Sequence, residues 1–344
     1  MSPAEHALDA GTRGFVQGLA VDLAAVLRHA EPGDTLALQS HHPLLDPSLN
    51  AWATLLGHAI VEKTPLPGGG FRYLFRLGGH PDVTQEDEAP AERVWIYTNL
   101  HCNLACDYCC VRSSPKADPA MLSLESIRRM AAEAPELGLR RIILTGGEPF
   151  LRADLDQVVA ACAEHLPTTL LTNGMLFDGP RRVLLERMPR NRVTLQVSLD
   201  SPTAELHDAH RGTGSWERAR AGIAIARELG FRVRVAATTH TAEAANAMLR
   251  FLEQEGIEPH DRLVRPVAKL GEAEEGIPLL RRDVQAEVTL CADGVYWHPV
   301  GAVEPEFRVR APVTSLADAV AAIRALEARD AQDGHHLPAV FHCT

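Results

Sequence analysis

The stretch His101-Cys102-Asn103-Leu104-Ala105-Cys106-Asp107-Tyr108-Cys109-Cys110 constrains this chain more than any other. Cys102, Cys106 and Cys109 read C-x3-C-x2-C, so three thiols can converge on one metal centre from a single irregular loop. Soft sulfur ligands favour iron–sulfur clusters, copper(I) or zinc. A four-iron cubane normally takes four cysteines, and three leave one iron open to a further ligand. A zinc knuckle completed by Cys110 or His101 is the other reading these residues allow.

Composition narrows the setting. The chain has 344 residues, enough for two domains or one large α/β domain with an extension. Seven cysteines, three of them clustered, fit metal chemistry in a reducing compartment and not a disulfide framework. Net charge is −11 with no block of Lys or Arg, which argues against a general nucleic-acid binder. No apolar run reaches the roughly 18 residues that cross a bilayer. The start, Met1 to His6, lacks the basic and apolar regions of a signal peptide. The expectation is a cytoplasmic protein with no membrane partner.

From Arg93 the pattern is a regular alternation of strand and helix. Strands are expected at Val94–Thr98, Arg141–Thr145, Thr168–Thr172, Val193–Leu199, Val233–Thr238 and Arg262–Pro266. Helices are expected from Leu122, with Ser123 as N-cap, and over Leu155–His165, Trp216–Leu229 and Ala242–Glu255. Such alternation implies βαβ units and a parallel sheet, here a partial (β/α)6, TIM-like barrel, with active groups at the carboxyl ends of the strands. The expected division is 1–78 as a small α/β domain, 79–92 as an acidic, proline-bearing linker, 93–266 as the barrel and 267–344 as a short α+β extension.

The polar motifs fall at those strand ends. Gly146-Gly147-Glu148-Pro149 follows the second strand; its glycines let backbone approach a ligand, Glu148 supplies an acceptor and Pro149 fixes the turn. Thr172-Asn173-Gly174 follows the third, where Asn173 could reach a ligand hydroxyl or cap the turn. Ser198-Leu199-Asp200 ends the fourth and runs on through His207-Asp208 to Arg211-Gly212. Cys110 is expected to point away from its neighbour as a small buried side chain, and Cys162 to lie in a core helix.

The cysteine spacing, with the aromatic Tyr108 before the third thiol, resembles the radical S-adenosylmethionine (SAM) superfamily. Over residues 93–266 the later motifs resemble that family's GGEP, TNG and SLDG…HD…RG runs, with Ser201 in place of a glycine. The similarity is to the branch of molybdopterin-cofactor cyclases and peptide-modifying SPASM/twitch proteins. The resemblance implies a [4Fe–4S] cluster on Cys102, Cys106 and Cys109, and SAM chelated to the open iron. It implies SAM contacts from Tyr108, Gly146, Gly147, Glu148, Pro149, Asn173, Ser198, Asp200 and Arg211, with Arg211 clamping the methionine carboxylate. It also implies reductive cleavage to a 5′-deoxyadenosyl radical, hydrogen abstraction from an organic or peptide substrate, and a reductant such as flavodoxin or ferredoxin. Beyond the cluster no catalytic residue is assigned.

Residues 8–78 suggest a βαβαββ order. It comprises a helix over Leu19–Ala30, a strand at Thr35–Gln39, a helix over Ser48–Gly57, and a hairpin of Ala59–Glu62 with Phe71–Phe75. With Pro32-Gly33-Asp34 and Ala51-Trp52 this resembles TusA-type sulfur-carrier domains. Those carry a Cys-Pro-x-Pro whose thiol holds a persulfide; the matching positions here are Val16, Gln17, Gly18 and Leu19. A non-catalytic or sulfur-relay protein on these two domains is the other functional class, and the missing thiol argues against relay. In the tail, a hairpin at Asp293-Gly294 and a helix over Ser315–Arg329 suggest a SPASM/twitch-like extension that closes the barrel. Its Cys291 and Cys343 are too few for a cubane unless His298, His342 or a substrate completes it, and they are expected to be structural.

Overall fold

The computed structural model describes residues 4–13, 19–27, 30, 33–42, 45, 49, 52–53, 58–77, 90–277, 279, 281, 284–313 and 315–332. Two sheets organise them. The first has strands β1 (Glu5–Asp9), β2 (Thr35–Ser40), β3 (Ala59–Pro65) and β4 (Phe71–Arg76), in the order β1-β2-β4-β3. β1 and β2 are parallel, while β4 runs antiparallel to both β2 and β3. Helix α1 (Leu19–Leu27) brings Leu19 and Leu23 onto a core with Leu36, Leu38, Trp52 and Phe75. The period-two alternation of Tyr73 and Phe75 in β4 sends both rings to that side. The expected order includes a first strand without residues assigned to it; Glu5-His6-Ala7-Leu8-Asp9 has little strand character of its own, and pairing with β2 makes it that strand. Most of the expected 48–57 helix and 79–92 linker, and positions 16–18, lie outside the described residues.

The second sheet carries the site. Its described strands are β5 (Arg93–Tyr97), β6 (Arg141–Thr145), β7 (Thr168–Thr172), β8 (Val193–Ser198), β9 (Arg232–Thr239), β10 (Arg262–Pro266), β11 (Val288–Cys291), β12 (Gly294–Tyr296) and β13 (Arg308–Arg310). Their order is β10-β9-β8-β7-β6-β5-β11-β12-β13, with β5 to β10 parallel in sequence order, as expected for six βα units. Between them come α2 (Leu124–Glu133), α3 (Leu155–His165), α4 (Arg182–Arg187), α5 (Ala204–Arg211), α6 (Ser215–Glu228) and α7 (Ala242–Gln254). Ser123 caps α2 by accepting the Ser126 N–H at 3.1 Å, and Thr241 caps α7 through Ala244 at the same distance.

The C-terminal segment differs from the expected closure. β11 pairs in parallel with the outer side of β5, and the β11–β12 hairpin then turns at Asp293-Gly294. Among the described residues, β10 and β13 are the two ends of the sheet, so the extension lengthens it beyond β5 without bridging back to β10. Helix α8 (Leu316–Gln332) follows.

Candidate active site

The carboxyl ends of β5 to β10 open into one cavity. Cys102, Cys106 and Cys109 line it, together with Tyr108, Gly146, Gly147, Asn173, Ser198 and Arg211. Strand-end motifs as far apart as Cys102 and Arg211 therefore meet, because parallel strands deliver all their carboxyl ends to one rim. Glu148, Pro149 and Asp200 are not on the cavity wall; they brace it from behind.

Glu148 is fully buried. Its carboxylate accepts from Phe150 N at 3.0 Å, Thr172 Oγ1 at 2.8 Å and Asn173 N at 2.8 Å. It thus ties the loop after β6 to the end of β7. Burial pushes its carboxyl above the usual range, against the pull of those three donors. Asn173 does cap its turn, since its Oδ1 accepts Met175 N at 3.0 Å, and its Nδ2 donates to Asn103 Oδ1 in the cysteine loop at 2.8 Å.

The two glycines line the cavity and also lie close against neighbouring backbone. A Cβ on Gly146 would lie 2.4 Å from Asn99 O, and one on Gly147 2.4 Å from His101 O. Their missing side chains make room for the strand that enters the cysteine loop. Arg152, which the sequence reading passed over, holds that same entrance: it is buried, donating to Thr98 O at 2.9 Å and Leu122 O at 2.8 Å while pairing with Asp154.

Asp200 gathers a second group. It accepts from Tyr108 Oη, from Arg211 through Nε and, at 3.3 Å, Nη2, and from Thr238 N at 2.9 Å. Burial alone would raise its pKa, but the Arg211 charge and these donors hold it below the usual carboxylate range. The Asp200 N–H donates to His207 Nδ1 at 3.1 Å. His207 is buried, and burial and the Arg211 charge lower its pKa to about 4. Asp208 accepts from Gly214 N, Ser215 Oγ and Trp216 N at 2.6–3.0 Å, which starts α6. Two of the three nitrogens of Arg211 are thus engaged by Asp200. A ligand carboxylate brought to it would take Nη1 and the second N–H of Nη2.

The thiols fit an iron–sulfur centre by donor type and setting. Leu104 N points to Cys102 Sγ at 3.4 Å and Ser113 N to Cys109 Sγ at 3.2 Å, contacts that favour thiolate. Burial pushes Cys102 up to about 12 and raises Cys106, so thiolates here require a cationic partner. Among the described residues no three His, Cys, Asp or Glu are gathered tightly enough to grip a single metal ion. Cys110 packs against the hydrophobic core, as expected of a small apolar side chain, and also lines the same cavity. Cys162 and Cys291 are buried in the core, and Cys343 lies outside the described residues.

Two contacts hold the loop from outside. Arg112, in the left-handed region at φ 51°, forms an ion pair with Glu304 and lies 3.8 Å from Glu272. Glu272 N donates to Cys109 O at 2.9 Å. No helix among the described residues is long and apolar enough to cross a membrane.

Residues 96–243 match the model of the radical SAM superfamily. The AdoMet-dependent heme synthase of Oleidesulfovibrio alaskensis is 35% identical over 159 residues, covering 45% of this chain and 40% of that protein. Molybdenum cofactor biosynthesis protein 1 of Drosophila melanogaster is 36% identical over 139 residues, 39% of this chain and 24% of that one. Mycofactocin maturase MftC of Mycobacterium tuberculosis is 35% identical over 155 residues, 44% and 39% of the two chains. The chain spans less than half the length of these curated relatives. The matched segment runs from β5 through the cysteine loop to the start of α7, and is similar to the radical SAM superfamily over those residues.

Proposed function

We propose that the chain is an enzyme holding one [4Fe–4S] cluster on Cys102, Cys106 and Cys109, with SAM bound beside it. The observation that carries this reading is that the three thiols, Gly146-Gly147, Asn173, Ser198 and Arg211 meet on one cavity. When bound, the cluster supplies an electron that cleaves SAM to methionine and a 5′-deoxyadenosyl radical, which takes a hydrogen atom from an organic or peptide substrate. The chain's own residues bind and orient. Arg211 offers positive charge to the methionine carboxylate, with Asp200 fixing its plane. Tyr108 donates its hydroxyl to Asp200, with Arg211 and His240 against its ring. Ser198, at the end of β8 on the cavity wall, would offer its hydroxyl to the nucleoside of SAM. Glu148 and Asn173 keep the loops after β6 and β7 in register with the cysteine loop.

In this reading residues 93–266 form the catalytic domain, 1–78 a TusA-like domain and 267–344 a SPASM/twitch-like extension, in a cytoplasmic protein served by a flavodoxin or ferredoxin. Residues 1–78 contain no cysteine, so the first domain docks or packs and does not carry sulfur. The test is anaerobic reconstitution followed by reduction with dithionite in the presence of SAM. The expected result is about four irons per chain and formation of 5′-deoxyadenosine. The triple change of Cys102, Cys106 and Cys109 to alanine is expected to abolish both. Full iron in the triple variant would sink the assignment.

A further inference from the structure

The chain folds back on the cysteine loop at Ser113 and Ser114. Arg112 N closes a turn onto Cys109 O at 3.3 Å, and Arg112 itself takes the left-handed φ of 51°. That conformation is uncommon for a residue with a side chain. The ion pair of Arg112 with Glu304 holds it, with Glu272 at 3.8 Å. The next two residues are thereby laid across the loop. Ser113 N donates to Cys109 Sγ at 3.2 Å, and Ser114 O accepts from Cys102 N at 3.1 Å. One short crosspiece thus joins the first and third thiol residues.

The hydroxyl of Ser113 is the part of that crosspiece without a counterpart. Ser113 is 5% exposed, and its Oγ is buried with no hydrogen-bond partner among the described residues. The neighbouring Ser114 Oγ, by contrast, accepts from Lys116 N at 3.2 Å. Buried hydroxyls are nearly always paired, because an unpaired one gives up its bonds to water and gains none in return. His101 Nδ1 and Gln196 Oε1 are likewise unpartnered, but neither residue lines the cavity. Ser113 does line it, and with Cys106 and Tyr108 it also lines a second cavity beside His240. Sulfur is the acceptor this setting offers. A thiol is a weak acceptor, whereas a metal-bound thiolate carries charge and accepts a shorter, stronger bond.

We propose that Ser113 is a tuning residue for the iron–sulfur centre: its hydroxyl donates to a sulfur of that centre and raises the reduction potential. This rests on the cluster proposed above on Cys102, Cys106 and Cys109. A hydrogen bond draws electron density from sulfur and so favours the reduced, more negative state; such bonds are among the levers that set the potential of an iron–sulfur centre. The backbone N–H of Ser113 already addresses Cys109 Sγ, and the hydroxyl adds a second donor from the same residue.

The experiment uses the reconstituted full chain without SAM and reads the midpoint potential of the centre by electron paramagnetic resonance during a reductive titration. Ser113→Ala is set against the wild type, and Ser113→Val against Ser113→Thr, which has the same shape and keeps a hydroxyl. In each pair the member without the hydroxyl is expected to be reduced less readily, by about threefold to tenfold in the equilibrium constant. At about 59 mV per tenfold for one electron, that is a downward shift of about 30–60 mV. Iron is expected to stay at about four per chain in the wild type and Ser113→Ala. Equal potentials within a pair that holds its iron, or a higher potential in the member without the hydroxyl, would overturn the proposal. Iron retained by Ser113→Thr but lost from both Ser113→Ala and Ser113→Val would also overturn it, by making the hydroxyl a structural support. If Ser113→Ala alone does not fold, the Ser113→Thr and Ser113→Val pair decides. A wild type that takes up no iron is a separate result and would count against the cluster itself.

Discussion

Gly147 faces His101 across a gap that admits no side chain: a Cβ on Gly147 would stand 2.4 Å from the His101 carbonyl oxygen. The neighbouring N–H groups are already engaged, Gly147 N with Asn99 O at 2.9 Å and Glu148 N with His101 O at 3.0 Å. Both partners are backbone, so neither can yield by rotating a side chain. Gly147→Ala is therefore expected to displace the entrance to the cysteine loop, at about 1–3 kcal/mol as in other overpacked sites. Iron content after reconstitution and the melting temperature should fall together. Normal iron with weakened SAM binding would instead show that the glycine serves the ligand.

Four thiols line the cavity, and the assignment uses three of them. Cys110→Ala is expected to keep about four irons per chain, and the buried Cys291→Ala likewise. Cys106→Ala is expected to lose most of the iron. The check is iron and sulfide analysis of the three variants side by side. A loss in Cys110→Ala equal to that in Cys106→Ala would make Cys110 a ligand and reopen the zinc-type four-donor reading.

His207 gives a pH dependence with a definite sign. It accepts the Asp200 N–H through Nδ1 and has a folded pKa lowered to about 4 from 6.5. Between those values the unfolded chain binds a proton that the folded chain does not, so stability rises with pH across this window. Its contribution is fully present above pH 6.5 and is lost as pH falls towards 4, by up to about 3 kcal/mol. Urea midpoints measured from pH 7.5 down to 4.5 should decline. His207→Gln, which keeps a side-chain acceptor, should be less stable at pH 7 and show a flatter decline. An identical slope in the variant would remove His207 as the cause.

Much of this was legible in the sequence, for reasons that vary by element. β6, β7 and β10 were expected at their observed bounds, because runs of five residues between longer helical stretches are too short for helices. The helices Arg182–Arg187 and Ala204–Arg211 were not expected; at six and eight residues they carry too few turns for a period to show. The site residues were legible as types at strand ends, but their partners were not. That Tyr108 and Arg211 both meet Asp200, or that Arg152 reaches back to Thr98, depends on how loops cross in space. Gly146 and Gly147 illustrate the limit: the sequence shows that no side chain is wanted, and only the fold shows which neighbour excludes it. The direction of the extension, outward from β5, likewise follows from the pairing of Val288 with Val94, which no local pattern encodes.

Gly271 lies beyond every motif and makes the sharpest prediction. It follows β10 at φ +65°, and a Cβ there would meet Cys109 O at 2.2 Å and Cys110 C at 2.6 Å. The loop from Ala268 thus rests on the backbone of Cys109, a proposed cluster ligand, fastened by Glu272 N to Cys109 O. Gly256, just after α7, has the same φ of +65° with nothing within 4 Å. The pair separates two costs that a glycine substitution usually confounds. Gly256→Ala bears only the left-handed strain of an L-residue, about 1 kcal/mol, and should leave iron content unchanged. Gly271→Ala bears the same strain and also a collision with backbone that cannot retreat without moving Cys109. It is expected to lower the melting temperature further than Gly256→Ala and to speed iron loss to a chelator. Equal effects of the two on both measurements would mean that the loop after β10 only borders the cysteine loop and does not support it.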